Sequence, residues 1–206
     1  MDLLPLLCLA AFGGWILNRA QQRQRIALLG RHLGQYQIEK SMQELTDGYL
    51  RCLGENDPTR REQIWQLLES TEQALAGQFG RFAADIAKLG EAESRVSRLA
   101  ISLPWVQKLL PQACFDLRQA LAIHARGIVA AANNAQGQSP KDKAFTMTAE
   151  LFLMQHSCHW FCKSRAVASA RTLARHKTSY EQVMAAVAPA TRRDYRALTG
   201  RRPTPP

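Results

Sequence analysis

The stretch that begins at Leu3 and ends at Leu17, LLPLLCLAAFGGWIL, carries no charge and passes straight into the basic, glutamine-rich segment NRAQQRQR. A run of this kind belongs in a bilayer or in the interior of a fold. As a helix, residues 2–18 would extend roughly 25 Å, the short end of what a hydrocarbon core of about 30 Å requires. Trp15 falls where an indole can sit at headgroup level, and Arg19 can extend its charge outward. Pro5 lies in the first turn, where its missing N–H costs little. A cleaved signal peptide would need a basic start and a small-residue cleavage site. A lipoprotein signal would need small residues before Cys8, where Pro5, Leu6 and Leu7 stand. The competing reading is a buried core helix.

Residues 1–18 are therefore expected to form a single transmembrane helix that contacts the lipid bilayer through the residues from Leu3 to Leu17. Arg19, Arg23, Arg25, Arg31 and Lys40 follow it, whereas Asp2 is the lone charged side chain before it. Positive residues stay on the cytoplasmic side. The expectation is a single-pass protein of a bacterial inner membrane, amino terminus outside and the rest cytoplasmic.

Charge is unevenly distributed. Residues 1–40 carry five basic and two acidic groups, residues 41–162 twelve and thirteen, and residues 163–206 ten and two. The basic character thus belongs to the two ends and not to the body. The five cysteines, Cys8, Cys52, Cys114, Cys158 and Cys162, are odd in number and lack a disulfide-framework spacing, as expected of reduced thiols.

The remainder is expected to be all-α, because sustained period-2 alternation and β-branched runs are missing. Ile26, Leu29, Leu33 and Tyr36, then Ile38, Met42, Leu45, Tyr49 and Cys52, step by three or four with a slip between the series. They predict one helix with a discontinuity, running on from the anchor. The residues GENDP at 54–58 stop it, and Thr59 with Glu62 offers a capping box for the next helix. Leu68, Leu75, Phe82, Leu89, Val96 and Leu103 are spaced by seven, which predicts a coiled-coil-like helix over 60–103. Residues 19–103 are expected as a long antiparallel hairpin, with a parallel homodimer as the second arrangement.

Pro104 and Pro111 mark the boundary to a helical bundle over 104–198, with Trp105, Val106, Leu109 and Leu110 packed in a connecting turn. Helices are predicted from about Pro111 to Asn134 and from Ser139-Pro140 towards His176, the latter apolar on most sides between Phe145 and Cys162 and hence central. Thr178 with Glu181 is expected to cap a shorter helix, and residues 199–206 to form a basic, proline-rich disordered tail.

Two constellations could carry chemistry. His156, Cys158, His159 and Cys162 put four metal-capable side chains within seven residues, and Cys114 and His124 could complete a zinc site. No familiar zinc spacing is matched, and core packing is the weightier reading of these residues. The basic C-terminal third, from Lys163 to Arg202, suits anionic lipid or an acidic protein partner. Base-stacking aromatics there are confined to Tyr180 and Tyr195, which argues against nucleic acid. Glycine phosphate loops, G-x-S-x-G and H-E-x-x-H are all missing, so no catalytic residue, cofactor or enzyme activity is expected. The function expected is a membrane-tethered helical scaffold or adaptor with a basic surface. A metal- or thiol-dependent module built on His156, Cys158, His159 and Cys162, and a nucleic-acid-binding helical protein, are the alternatives.

Overall fold

The computed structural model describes residues 3–200. The chain is all-helical apart from one small sheet. The tail expected from residue 199 lies, beyond Gly200, outside the described residues. Helix α1, Leu3–Leu33, is unbroken for 31 residues. The slip between Tyr36 and Ile38 is a turn and not a kink within a helix. Gly34 bonds back to Gly30 and Tyr36 to Leu33, and α2, Ile38–Gly54, starts afresh. Its predicted face, Ile38, Met42, Leu45, Tyr49 and Cys52, is buried.

Helix α3, Pro58–Ile86, is capped by Asp57, whose carboxylate accepts from the Thr59 and Arg60 N–H groups, so the expected Thr59 capping box is displaced by two residues. With α2 it forms an antiparallel hairpin. The Tyr49 hydroxyl meets Glu72, and the Tyr36 hydroxyl, thirteen residues earlier, meets Asp85, thirteen residues later. Leu68, Leu75, Phe79, Phe82 and Ile86 fill its core side.

The long helix expected to residue 103 ends here instead. Ala87, Lys88 and Leu89 close the last turn, and Gly90 precedes a single helical turn, α4, Glu91–Ser94. Strand β1, Arg95–Ser97, then pairs antiparallel with β2, Cys114–Asp116, with Val96 opposite Phe115. Spacing by seven persists past Ile86, but Val96 is buried on a strand and Leu103 is exposed on a loop. Between the strands lie α5, Val106–Leu109, and a 3-10 turn, Pro111–Ala113.

Helix α6, Leu117–Ala132, is capped by Asp116, and α7, Pro140–Cys162, by Ser139 with Pro140 at its first position, as expected. Fifteen of the 23 residues of α7 are buried, which makes it the central helix. It stops at Cys162, and Ser164 caps a separate α8, Arg165–His176. Ser179 with Gln182, one position on from the expected Thr178 and Glu181, caps α9, Tyr180–Ala186. Helix α10, Pro189–Thr199, closes the fold. One apolar cluster runs from Leu29 through α2, α3, α6 and α7 to Tyr195, with contributions from both sides of residue 104.

Among the described residues no helix is long and apolar enough to cross a membrane. The expected transmembrane span is thus unsupported, since the apolar run yields at Asn18 and Arg19 while the same helix continues as a polar, partly packed rod.

Close packing at one point decides the spacing of three helices. A methyl group on Gly127 of α6 would fall inside contact distance of the Glu150 carboxylate on α7 and the Thr191 hydroxyl on α10. Alanine gains up to about 1 kcal/mol of helix propensity over glycine, but overpacking a filled site costs about 1–3 kcal/mol. Gly127→Ala is expected to lower the melting temperature by several degrees in a thermal melt. An unchanged or raised value would mean that the three helices are packed more loosely than described.

Candidate functional site

The four metal-capable residues on α7 do not converge. Successive residues of a helix point about 100° apart, so positions 156, 158 and 159 face different neighbours. The His156 Nε2 is 3.2 Å from the Ser169 hydroxyl of α8, and its ring lies 4.6 Å from that of Tyr180. Cys158 donates weakly to the Met154 sulfur at 3.9 Å, in full burial. His159 faces the basic side of α8, where Arg171 and Arg175 act on it. Cys162 lies beside Arg25. Of the two proposed extra ligands, His124 bonds to Ser157 at 2.8 Å and Cys114 to the Leu110 carbonyl at 3.7 Å. Among the described residues no group of three or more His, Cys, Asp or Glu is placed to hold a metal ion.

Burial sets the protonation of these groups. It pushes the Cys158 thiol up to about 12 and that of Cys162 up to about 11, so neither is a ready nucleophile. It drives His124 and His156 down to about 3, helped by His156 and Arg165 respectively, and His159 down to about 4.

Sequence reasoning passed over the polar groups that α7 actually assembles. Ser157 is the hub. Its hydroxyl donates to the Leu153 carbonyl at 3.1 Å, meets the Tyr195 hydroxyl of α10 at 2.7 Å and meets His124 of α6. Two turns away, Glu150 accepts from the Ala188 N–H at 3.0 Å. Ser157, His124 and Tyr195 are each withdrawn from water, so the set resembles catalytic machinery in composition but admits no substrate. It fastens α6 and α10 to α7. The signal that could have found it is a polar residue on each buried face of a helix that is otherwise apolar all round.

A second buried set sits at the hairpin. Glu72 is 2% exposed; it accepts from the Tyr49 hydroxyl at 2.5 Å and pairs with Lys143 of α7 at 2.5 Å. Burial first, then the Glu72 charge, raises the Tyr49 phenol far above its ordinary value. Glu72 and Lys143 form one wall of a cleft of about 250 Å³ that Trp65, Glu69 and Gln138 also line. Tyr49 donates to one carboxylate oxygen of Glu72 and Lys143 pairs with the other.

The other distinctive region is the first half of α1. Leu7, Leu9, Phe12, Trp15, Ile16 and Leu17 are all exposed, Leu9 to 68%. Attachment to the body begins at Asn18, whose side chain both donates to the Ser102 carbonyl at 3.2 Å and accepts from the Ser102 hydroxyl at 2.7 Å. Gln21 donates to Gln107, Gln22 accepts from Lys163, and Arg25 donates to the Phe161 and Arg95 carbonyls at 3.0 and 2.7 Å. The guanidinium of Arg19 lies 4.9 Å over the Trp15 ring. The apolar half therefore stands clear of the body, with polar and basic residues at its base. Arg201 and Arg202 of the basic third lie outside the described residues; Arg165, Arg171, Arg175 and Arg196 are exposed.

No protein-family model, curated protein or solved structure matches the chain.

The buried groups give a pH dependence of known sign. Burial raises Glu150 to about 7, so the folded state binds a proton more tightly than the unfolded chain; its contribution is full below about 4.5 and is lost as pH rises through 7. The histidines act oppositely, since their lowered values make stability fall as pH drops below about 6.5. Glu150→Gln is expected to leave the melting temperature close to wild type at pH 5 and to raise it relative to wild type at pH 8. An equal melting temperature at pH 8 would show that the carboxylate carries its charge there without cost.

Proposed function

We propose that the chain is a membrane-attached helical protein that acts as a scaffold or adaptor. The apolar half of α1 enters the bilayer and holds the helical body at its surface. The observation that carries this reading is the exposure of six large apolar side chains, Leu7 to Leu17, on one end of α1. Fully removing a large apolar side chain from water is worth about 1.5–3 kcal/mol, so six partly exposed ones supply on the order of 5–10 kcal/mol on insertion. Residues 3–17 rise about 22 Å as a helix, most of the way through a hydrocarbon core of about 30 Å. Trp15 and Arg19 then sit at headgroup level, an indole facing the interface and a cation beside phosphates.

Charge and thiols support one orientation. Arg19, Arg23, Lys108, Lys163 and Arg165 make no ion pair among the described residues, and they lie on α1 below the apolar end or on segments bonded to or beside it. Such residues favour the anionic cytoplasmic leaflet. All five cysteines are free, and four are buried. The proposed setting is the cytoplasmic face of a bacterial inner membrane, with the amino-terminal end of α1 directed into or through the bilayer.

Cys8, exposed between Leu7 and Leu9, provides the test. In aqueous buffer a water-soluble maleimide is expected to label one thiol per folded chain rapidly. Addition of vesicles containing anionic lipid is expected to slow that labelling at least tenfold, with the full chain floating with the vesicles. Unchanged labelling and no flotation would refute the attachment.

A further inference from the structure

Of the nineteen large apolar side chains exposed among the described residues, six lie in the apolar half of α1 and five more, Ile101, Leu103, Trp105, Leu109 and Leu110, lie within ten residues of loop between β1 and β2. We infer that this loop, residues 101–110, is a second lipid-contacting element, resting on the surface of the same bilayer that α1 enters. The inference builds on the attachment proposed above.

Three observations bring the loop to that position. The first is continuity. Ser102 makes both hydrogen bonds of the Asn18 side chain, and Gln107 accepts from Gln21. Asn18 is one turn from Trp15, so the loop is fastened at the level where the apolar half of α1 leaves the body. An α1 end inserted in lipid would bring this loop to the interface without further movement.

The second is that the loop divides its residues between two sides. Val106 and Gln107 are buried towards the body, and the Gln107 carbonyl accepts from Arg95 at 3.3 Å. The Ala100 carbonyl accepts from the Ala166 N–H, which ties the loop to the start of α8. The outward residues are the large apolar ones, Leu109 being 72% exposed. Trp105 is held at φ 60°, a left-handed conformation that a bulky side chain adopts only when its surroundings impose it. The result is a braced loop with its apolar side chains left outside, and not a slack connector.

The third is charge. Lys108 within the loop, Arg19 and Arg23 on α1, and Lys163 and Arg165 on the segment that braces the loop have no carboxylate partner among the described residues. Apolar side chains rimmed by unpaired cations match an anionic lipid surface, with acyl chains for the former and phosphates for the latter. A second copy of the chain would bring its own cations to the same rim, which disfavours it as the occupant.

The full chain with Trp15→Phe and the full chain with both Trp15→Phe and Trp105→Phe are mixed with phosphatidylglycerol-containing vesicles whose acyl chains are brominated. Trp65 and Trp160 remain in both as a common background. The Trp15→Phe protein is expected to keep a quenched, blue-shifted component that the doubly substituted protein lacks. Leu109→Asp with Leu110→Asp, both exposed and hence tolerated by the fold, is expected to weaken vesicle affinity about tenfold or more while the melting temperature holds. If the Trp15→Phe protein floats with vesicles but shows no such component, the loop inference is overturned and the attachment stands. If the wild-type chain does not float, both fall. A Trp105 blue shift that grows with protein concentration without lipid would assign the loop to self-association and overturn the inference.

Discussion

One half-buried guanidinium determines how this chain divides itself. Arg25 is half-buried with no carboxylate partner; it is held by two carbonyl oxygens, of Phe161 and Arg95, and by the Phe161 ring 4.9 Å away. Burying a cation is costly unless its donors are met. Here the acceptors are groups that also need a donor. Phe161 is among the last four residues of α7, where carbonyls lack intrahelical partners and the helix end carries partial negative charge. Arg25 thus closes the end of the central helix, fixes α1 against β1, and sets the height at which α1 parts from the body. The large apolar side chains described on its amino-terminal side beyond Asn18 are left in contact with the surroundings. The proposed membrane attachment is a consequence of that division.

The body that remains is organised by α7, and its interior is more polar than an all-α core requires. Ser157 and Glu150 hold α6 and α10, while Lys143 and Glu72 hold the hairpin. Hydrophobic contact alone is non-directional, and helices that bury mostly alanine, leucine and methionine can slide past one another. A hydrogen-bonded hub with one correct geometry selects a register. The cluster on α7 that suggests metal chemistry in one dimension is, in three, a set of residues facing separate neighbours. Two histidines kept neutral by burial and a thiol raised to about 12 describe core packing.

Much of this was legible in the sequence, and the failures have physical causes. The faces of α2 and α7, the stop at 54–58 and the Ser139-Pro140 start follow from periodicity and capping, which are local. The end of α3 was not, because spacing by seven continues through Val96 and Leu103 after the helix has stopped. Burial supplies the same periodic signal whether Val96 packs from a helix or from a strand, and three-residue strands are too short to show alternation. The apolar run of α1 was legible as apolar, but where the helix leaves the body depends on Arg25 meeting residues 70 and 136 positions away. The loop at 101–110 was misread for a related reason. Its prolines and apolar residues suggest a packed connector, yet only Val106 and Gln107 reach the interior between Leu103 and Leu110.

Hydrogen–deuterium exchange across α1 of the full chain, with and without anionic vesicles, addresses the central claim directly. The division at Asn18 predicts that amides of residues 3–17 exchange quickly in buffer and become strongly protected on vesicles. Those of residues 21–33 should be equally protected in both conditions. Rapid exchange of residues 3–17 in the presence of vesicles, or vesicle-dependent loss of protection across residues 21–33, would contradict it.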